Sequence, residues 1–194
     1  MDDERRRGSE AVDDDGCADA EDGLRARVGA LVRDVAGFPE PGVTFKDITP
    51  VLMDARAFTD AVAWLGAPFA GRATKVAAIE ARGFILGAPV AYALGVGLVP
   101  VRKMGKLPAA TVAEAYTLEY GTATLEMHVD AIEPGDRVLV VDDVIATGGT
   151  ALATAALVRR AGAEVLGLSA LLEIAALGGR AQLSGLELRV LLTV

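Results

Sequence analysis

Cysteine is nearly missing from this chain: Cys17 is the only one in 194 residues, so no disulfide can form within it. Histidine is equally scarce. The lone His128 has no second His or Cys nearby, reads as an ordinary strand residue, and gives no basis for a protein metal site. Basic residues are also in deficit, 19 against 27 acids for a net charge of −8. That excludes the excess of Lys and Arg on which non-specific nucleic-acid and anionic-membrane binding rest, but not a local basic pocket for a small phosphorylated molecule. No apolar run is long enough to span a membrane; Leu94–Val101 suits a buried strand and is interrupted by Pro100. The start, MDDERRRGSEAVDDDG, lacks the apolar middle of a secretory leader, and its acids argue against a transit sequence. A cytoplasmic protein without membrane or nucleic-acid partners is expected.

Two phosphate-binding signatures are absent as well. No Gly-x-x-x-x-Gly-Lys-Ser/Thr occurs, and Gly95-Val96-Gly97 lacks the third small residue of a dinucleotide fingerprint, with Pro100 where its helix should begin.

What the chain does have is apolar residues, 52% of the total, enough for one well-buried core. Residues 1–22 carry almost no large apolar side chain and read as a disordered acidic tail. Residues 23–194 read as a single domain. Leu24, Val28, Leu31, Val32 and Val35 fall on one helical face, and Gly37, Pro39, Pro41 and Gly42 then break the chain into a loop. A second amphipathic helix turns Phe58, Ala61, Val62 and Leu65 inward. From Lys75 onward, short apolar runs alternate with helical stretches. Lys75–Ile79, Leu98–Arg102, Arg137–Val141 and Glu164–Leu172 read as strands. Phe84–Leu94 reads as a helix closed by Gly95, with Pro89 inside it, and Thr150–Ala161 as another. Thr117–Met127 reads as a hairpin around Gly121. Such alternation implies an α/β fold with a mostly parallel sheet covered on both faces.

The chemistry concentrates in Val138-Leu139-Val140-Val141-Asp142-Asp143-Val144-Ile145-Ala146-Thr147-Gly148-Gly149-Thr150. A buried strand leads through two acids into a loop of small residues that opens a helix. Glycines 148 and 149 let backbone N–H groups approach an anion, the helix start adds its positive end, and Thr147 and Thr150 offer hydroxyls. Acids repel phosphate but suit the hydroxyls of a sugar attached to it. Alone, the acids or the glycines are an ordinary strand end and helix start; together they fit one ligand, a ribose 5-phosphate.

That string resembles the phosphoribosyl-pyrophosphate signature of the type I phosphoribosyltransferases, and most of the chain from about Leu24 to Val190 resembles their adenine-specific branch. Phe38–Pro50 is similar to the branch's adenine-binding hood and Ala78–Phe84 to its pyrophosphate loop. Val101–Pro108 and Tyr116–Gly121 are similar to the two ends of its mobile catalytic loop. The resemblance implies a type I phosphoribosyltransferase fold: a mostly parallel five-stranded central sheet flanked by helices, a small N-terminal hood around 36–52 and a flexible loop around 104–120. It implies transfer of the phosphoribosyl group of phosphoribosyl pyrophosphate to adenine, giving AMP and pyrophosphate, with Mg²⁺ carried on the substrate and no protein metal site. A homodimer is implied too.

Residue roles are carried over in the same way. Phe45 would stack on adenine, with Val43, Thr44, Lys46 and Ile145 around the base. Asp142 and Asp143 would hold the ribose diol, and Ala146, Thr147, Gly148, Gly149 and Thr150 its phosphate. Ala81, Arg82, Gly83, Arg102, Lys103 and Lys106 would take the pyrophosphate, with Arg82 and Lys103 stabilising it as it leaves. Glu119 would be the general acid/base, beside Tyr120. Val144-Ile145 stands where two leucines are common, and the last strand lacks a frequent aromatic. Two rivals remain: a purine-sensing regulator on the same fold, disfavoured by the short tail and the charge, and an enzyme for a 6-oxo purine.

Overall fold

A computed structural model describes residues 15–117 and 122–194. The chain opens with helix α1 (Asp15–Leu31), then pairs strands β1 (Arg33–Ala36) and β2 (Thr44–Asp47) into a small antiparallel sheet. Helices α2 (Thr49–Met53) and α3 (Ala55–Gly66) follow. The main sheet is then built from β3 (Lys75–Ile79), β4 (Gly97–Lys103), β5 (Thr111–Thr117), β6 (Thr122–His128), β7 (Arg137–Ile145), β8 (Glu164–Glu173) and β9 (Leu188–Thr193). Between them lie α4 (Arg82–Leu94), α5 (Gly149–Arg160) and the short α6 (Gly179–Gln182).

Strand order in the large sheet is β5-β6-β4-β3-β7-β8-β9. The expected five parallel strands are β4, β3, β7, β8 and β9. The β5–β6 hairpin then adds two antiparallel strands through β4, making a mixed sheet of seven. Side chains alternate along each strand between two cores. Val76, Leu139 and Val141 pack with α1 to α4, whereas Ala77, Val138 and Val140 pack with α5 and the hairpin.

Four readings of the sequence are corrected. Helix α1 already runs from Asp15, upstream of Leu24, where the sequence places the start of order. Part of the reason is lateral: Arg25 donates to the backbone carbonyl of Leu191 at 2.5 Å and pairs with Glu21, one turn earlier in the helix. Val35 leaves the helix for β1, because the turn from Gly37 to Val43 lets Arg33–Ala36 pair with Thr44–Asp47. Cross-strand ion pairs, Arg33 with Asp47 at 2.6 Å and Lys46 with Asp34 at 2.7 Å, fasten that pairing. Strand β7 runs past the acids to Ile145, so Asp142 and Asp143 sit inside the strand. Finally, Thr111–Thr117, within the span read as a flexible loop, is strand β5.

Candidate active site

The site forms at the carboxyl ends of β3, β4 and β7, beside the start of α5. Gly148 occupies the helix N-cap with φ +85°, and a Cβ there would lie 3.0 Å from the carbonyl oxygen of Gly179. Glycine is therefore required for both conformation and space. No side chain caps the helix, so its first-turn amides are not claimed by the protein's own side chains. Ala146, Thr147, Gly149 and Thr150 complete the loop and are half-buried. Behind it, the turn at Gly178–Leu183 is fastened by the buried carboxylate of Glu173, which accepts three N–H contacts from Arg180 at 2.5 to 3.1 Å. Sequence reasoning missed this clamp, since Glu173 and Arg180 form no motif.

Asp142 and Asp143 are 7% and 6% exposed, unusual for two adjacent carboxylates. Burial, and then the charge of Asp143, push Asp142 well above the usual carboxylate range. Burial also pushes Asp143 up, against the pull of Arg82. Oδ2 of Asp143 lies 2.8 Å from Nη2 of Arg82, an ion pair without an aligned hydrogen bond. The Arg82 guanidinium also lies 4.7 Å from the Phe45 ring centre, and Phe38 meets that ring edge-on at 5.1 Å. Arg82 thus joins the small sheet to the buried acids. Gly83 presses the start of α4 onto β7: a Cβ there would come 2.9 Å from Oδ1 of Asp142.

A second set of charges gathers at the carboxyl ends of β3 and β4. Arg102 Nε donates to Glu80 at 2.8 Å and Lys106 Nζ at 2.9 Å, both from partly exposed positions onto a buried carboxylate. Burial would raise Glu80, but Lys106 and Arg102 outweigh it and hold the group below its usual value. The following turn is fixed by Glu126, whose Oε1 accepts from the backbone N–H groups of Lys106 and Leu107. Lys103 is exposed at the strand end, and the peptide between Glu80 and Ala81 is cis.

Val43, just before β2, and Thr44 are exposed, and Phe45 and Lys46 are half-buried along β2. Ile145 is not brought to them. It is 2% exposed within the core on the α5 side, and pleating turns its neighbour Val144 to the opposite core. Glu119 and Tyr120 lie outside the described residues. Tyr116, at the start of the Tyr116–Gly121 segment but given no role of its own, has its phenol pushed up by burial and by the charges of Asp142 and Glu80. It lines a cavity of about 340 Å³ with Gly149, Leu152 and Gln182. A larger hollow of about 610 Å³ opens around Trp64 between α1 and α3, away from these residues. Among the described residues no group of three or more His, Cys, Asp or Glu could hold a metal, and no helix is long and apolar enough to cross a membrane.

The phosphoribosyl transferase domain family matches residues 53–184. The adenine phosphoribosyltransferase of Streptomyces coelicolor is 60% identical over 172 residues, covering 84% of this chain and 92% of that protein. That of Thermobifida fusca is 58% identical over 164 residues, covering 84% and 93%. The crystal structure of adenine phosphoribosyltransferase from Rhodothermus marinus superposes with a TM-score of 0.86 at 52% identity, covering 89% of this chain and 99% of that one. The Saccharomyces cerevisiae enzyme, complexed with an imino-altritol bisphosphate and adenine, gives 0.82 at 32% identity, covering 88% and 99%.

Proposed function

This chain belongs to the phosphoribosyl transferase domain family, in its adenine phosphoribosyltransferase branch, and we propose from that premise how its residues divide the work. The reaction moves the phosphoribosyl group of phosphoribosyl pyrophosphate to N9 of adenine, giving AMP and pyrophosphate in purine salvage. The observation that carries the assignment of roles is the buried Asp142–Asp143 pair, standing between an uncapped glycine helix start and an arginine that reaches the small sheet.

In this reading Asp142 and Asp143 accept hydrogen bonds from the ribose diol, and the amides of Ala146, Thr147, Gly148, Gly149 and Thr150 hold its 5-phosphate. Phe45 packs on adenine, with the backbone from Val43 to Lys46 at the base's polar edge. Val144 replaces Ile145 as the strand residue on that side. Adenine N9 bonds to the anomeric carbon as the bond to pyrophosphate breaks, through a state with oxocarbenium character. Ala81, Arg82, Gly83, Arg102, Lys103 and Lys106 take up the leaving group's charge, and Glu119, beside Tyr120, manages the N9 proton. Mg²⁺ enters on the oxygens of phosphoribosyl pyrophosphate, as part of the substrate. A cytosolic location goes with this reading, because so charged a sugar does not cross membranes unaided.

A homodimer is part of the proposal. Ile85, Ala88 and Tyr92 share one face of α4, with Ile85 45% and Tyr92 89% exposed, an apolar stripe that a second copy would cover.

The test is to supply labelled adenine, phosphoribosyl pyrophosphate and Mg²⁺ and look for labelled AMP, with hypoxanthine and guanine alongside. AMP from adenine alone is expected; turnover of hypoxanthine at a similar rate would discard adenine specificity.

A further inference from the structure

The reaction requires pyrophosphate to leave twice, first from the sugar and then from the protein. The cations that would hold it are not idle. Glu80 takes one on each oxygen, Arg102 Nε on Oε2 at 2.8 Å and Lys106 Nζ on Oε1 at 2.9 Å. Arg102 Nη1 also donates to the Lys106 carbonyl at 3.0 Å, closing a ring of three residues. The carboxylate is only 6% exposed, whereas the Arg102 and Lys106 side chains are 35% and 50% exposed. The acid is thus fixed in the wall and the cations face outward. Glu80 is itself anchored by its N–H, which donates to the Val101 carbonyl at 3.0 Å.

We propose that Glu80 is a built-in competitor for Arg102 and Lys106, a positioning residue that presents both cations to pyrophosphate and reclaims them when it departs. The proposal rests on the reading that these two cations receive pyrophosphate. When the multiply charged ligand engages them, the Glu80 carboxylate loses its partners while remaining buried beside another anion. Binding is therefore weakened by the cost of breaking the two ion pairs, since only the fraction of molecules with Arg102 and Lys106 released from Glu80 has both cations to offer. The penalty falls on substrate and product alike, because both carry the pyrophosphate group. It limits product retention without altering the bond-breaking step.

The experiment is a calorimetric titration of the full chain with inorganic pyrophosphate and Mg²⁺, alongside product-inhibition kinetics. Glu80→Gln keeps the size and removes the charge. Pyrophosphate should bind about three- to twenty-fold tighter, the range set by two partly exposed ion pairs. The KM for phosphoribosyl pyrophosphate should fall with kcat no higher, and adenine affinity should not change. In an Arg102→Ala/Lys106→Ala background, the same substitution should give no tightening. Weaker or unchanged pyrophosphate binding in a folded Glu80→Gln protein overturns the proposal and leaves Glu80 a purely structural anchor. Should Glu80→Gln not fold, Glu80→Asp, which withdraws the charge by one methylene, should tighten binding by a smaller factor; no tightening overturns the proposal equally. If Arg102→Ala and Lys106→Ala leave pyrophosphate affinity of the unaltered Glu80 protein unchanged, the pyrophosphate reading itself fails and the competitor role falls with it.

Discussion

Arg82 stands 2.8 Å from Asp143, and the same guanidinium covers the face of Phe45 at 4.7 Å. One side chain therefore connects the acids proposed to hold ribose with the ring proposed to hold adenine. A point charge could meet the acid, but only a planar fork can meet the acid and lie over the ring.

Arg82→Ala should accordingly impair both substrates. We predict a loss of about 10²- to 10³-fold in kcat/KM, the scale for removing a preorganised charge from a transition state. Arg82→Lys should recover only part of it. Steady-state kinetics with each substrate varied in turn test this: an unchanged KM for adenine would show that the contact with Phe45 is idle.

The two buried acids give a pH signature. Their native values are raised by burial, Asp142 further by Asp143, so the charged forms are disfavoured in the folded protein. The sign follows from linkage: their contribution to stability is full below the ordinary carboxylate value of about 4 and is lost as pH climbs through the raised values. Carboxylates held low, such as Glu80, add stability as pH rises through that range, so the loss should emerge in thermal melts of the ligand-free protein once they are fully ionised. Asp142→Asn should flatten the dependence. A steeper slope in the variant would contradict burial of the charge as the cause.

Two glycines on α4 separate packing from function. A Cβ on Gly87 would lie 2.5 Å from that of Ala78 and 3.7 Å from that of Val141, meeting apolar groups and not a carboxylate, so Gly87→Ala should destabilise by about 1–3 kcal/mol through overpacking. A Cβ on Gly83 would press on Oδ1 of Asp142 at 2.9 Å and on the Val141 carbonyl at 3.2 Å. Gly83→Ala should weaken phosphoribosyl pyrophosphate binding beyond any change in Tm. Equal effects of the two substitutions on binding would refute the distinction.

Behind the loop at residues 146–150, Arg180→Ala removes the partner of a carboxylate that is only 3% exposed. We expect a stability loss of about 1–3 kcal/mol, typical of stranding a buried polar group. The KM for phosphoribosyl pyrophosphate should rise with it, because Gly179 backs directly onto Ala146. Melting curves and kinetics on the same preparation check both parts.

Tyr92→Glu places a charge on the most exposed part of the α4 stripe. Sedimentation should find the unaltered protein as a dimer and this variant as a monomer. A variant that still dimerises would move the interface elsewhere.

Much of the site was legible along the chain. Asp142, Asp143 and residues 146–150 fall within one nine-residue stretch, so strand end, turn and helix start read as one local unit. The Glu80–Arg102–Lys106 ring was not legible, because its members come from different strand ends that only the parallel pairing of β3 with β4 brings together. Ile145 lies in the core on the α5 side for a simpler reason. A one-residue step along a strand reverses the face, and the pleat assigns that side to Val144. Val35 was misassigned because helical spacing was satisfied locally while Thr44–Asp47 offered a strand partner.

The sequence by itself determined the alternation of strands and helices, the glycine turn that opens a helix and the adjacent acids, because each depends on neighbours within a few residues. Only the tertiary structure decided which face each acid's neighbours take, which cations Glu80 holds, and that Arg82 bridges the small sheet to the buried pair. Those are contacts across strands and between layers, fixed by register and packing rather than by proximity along the chain.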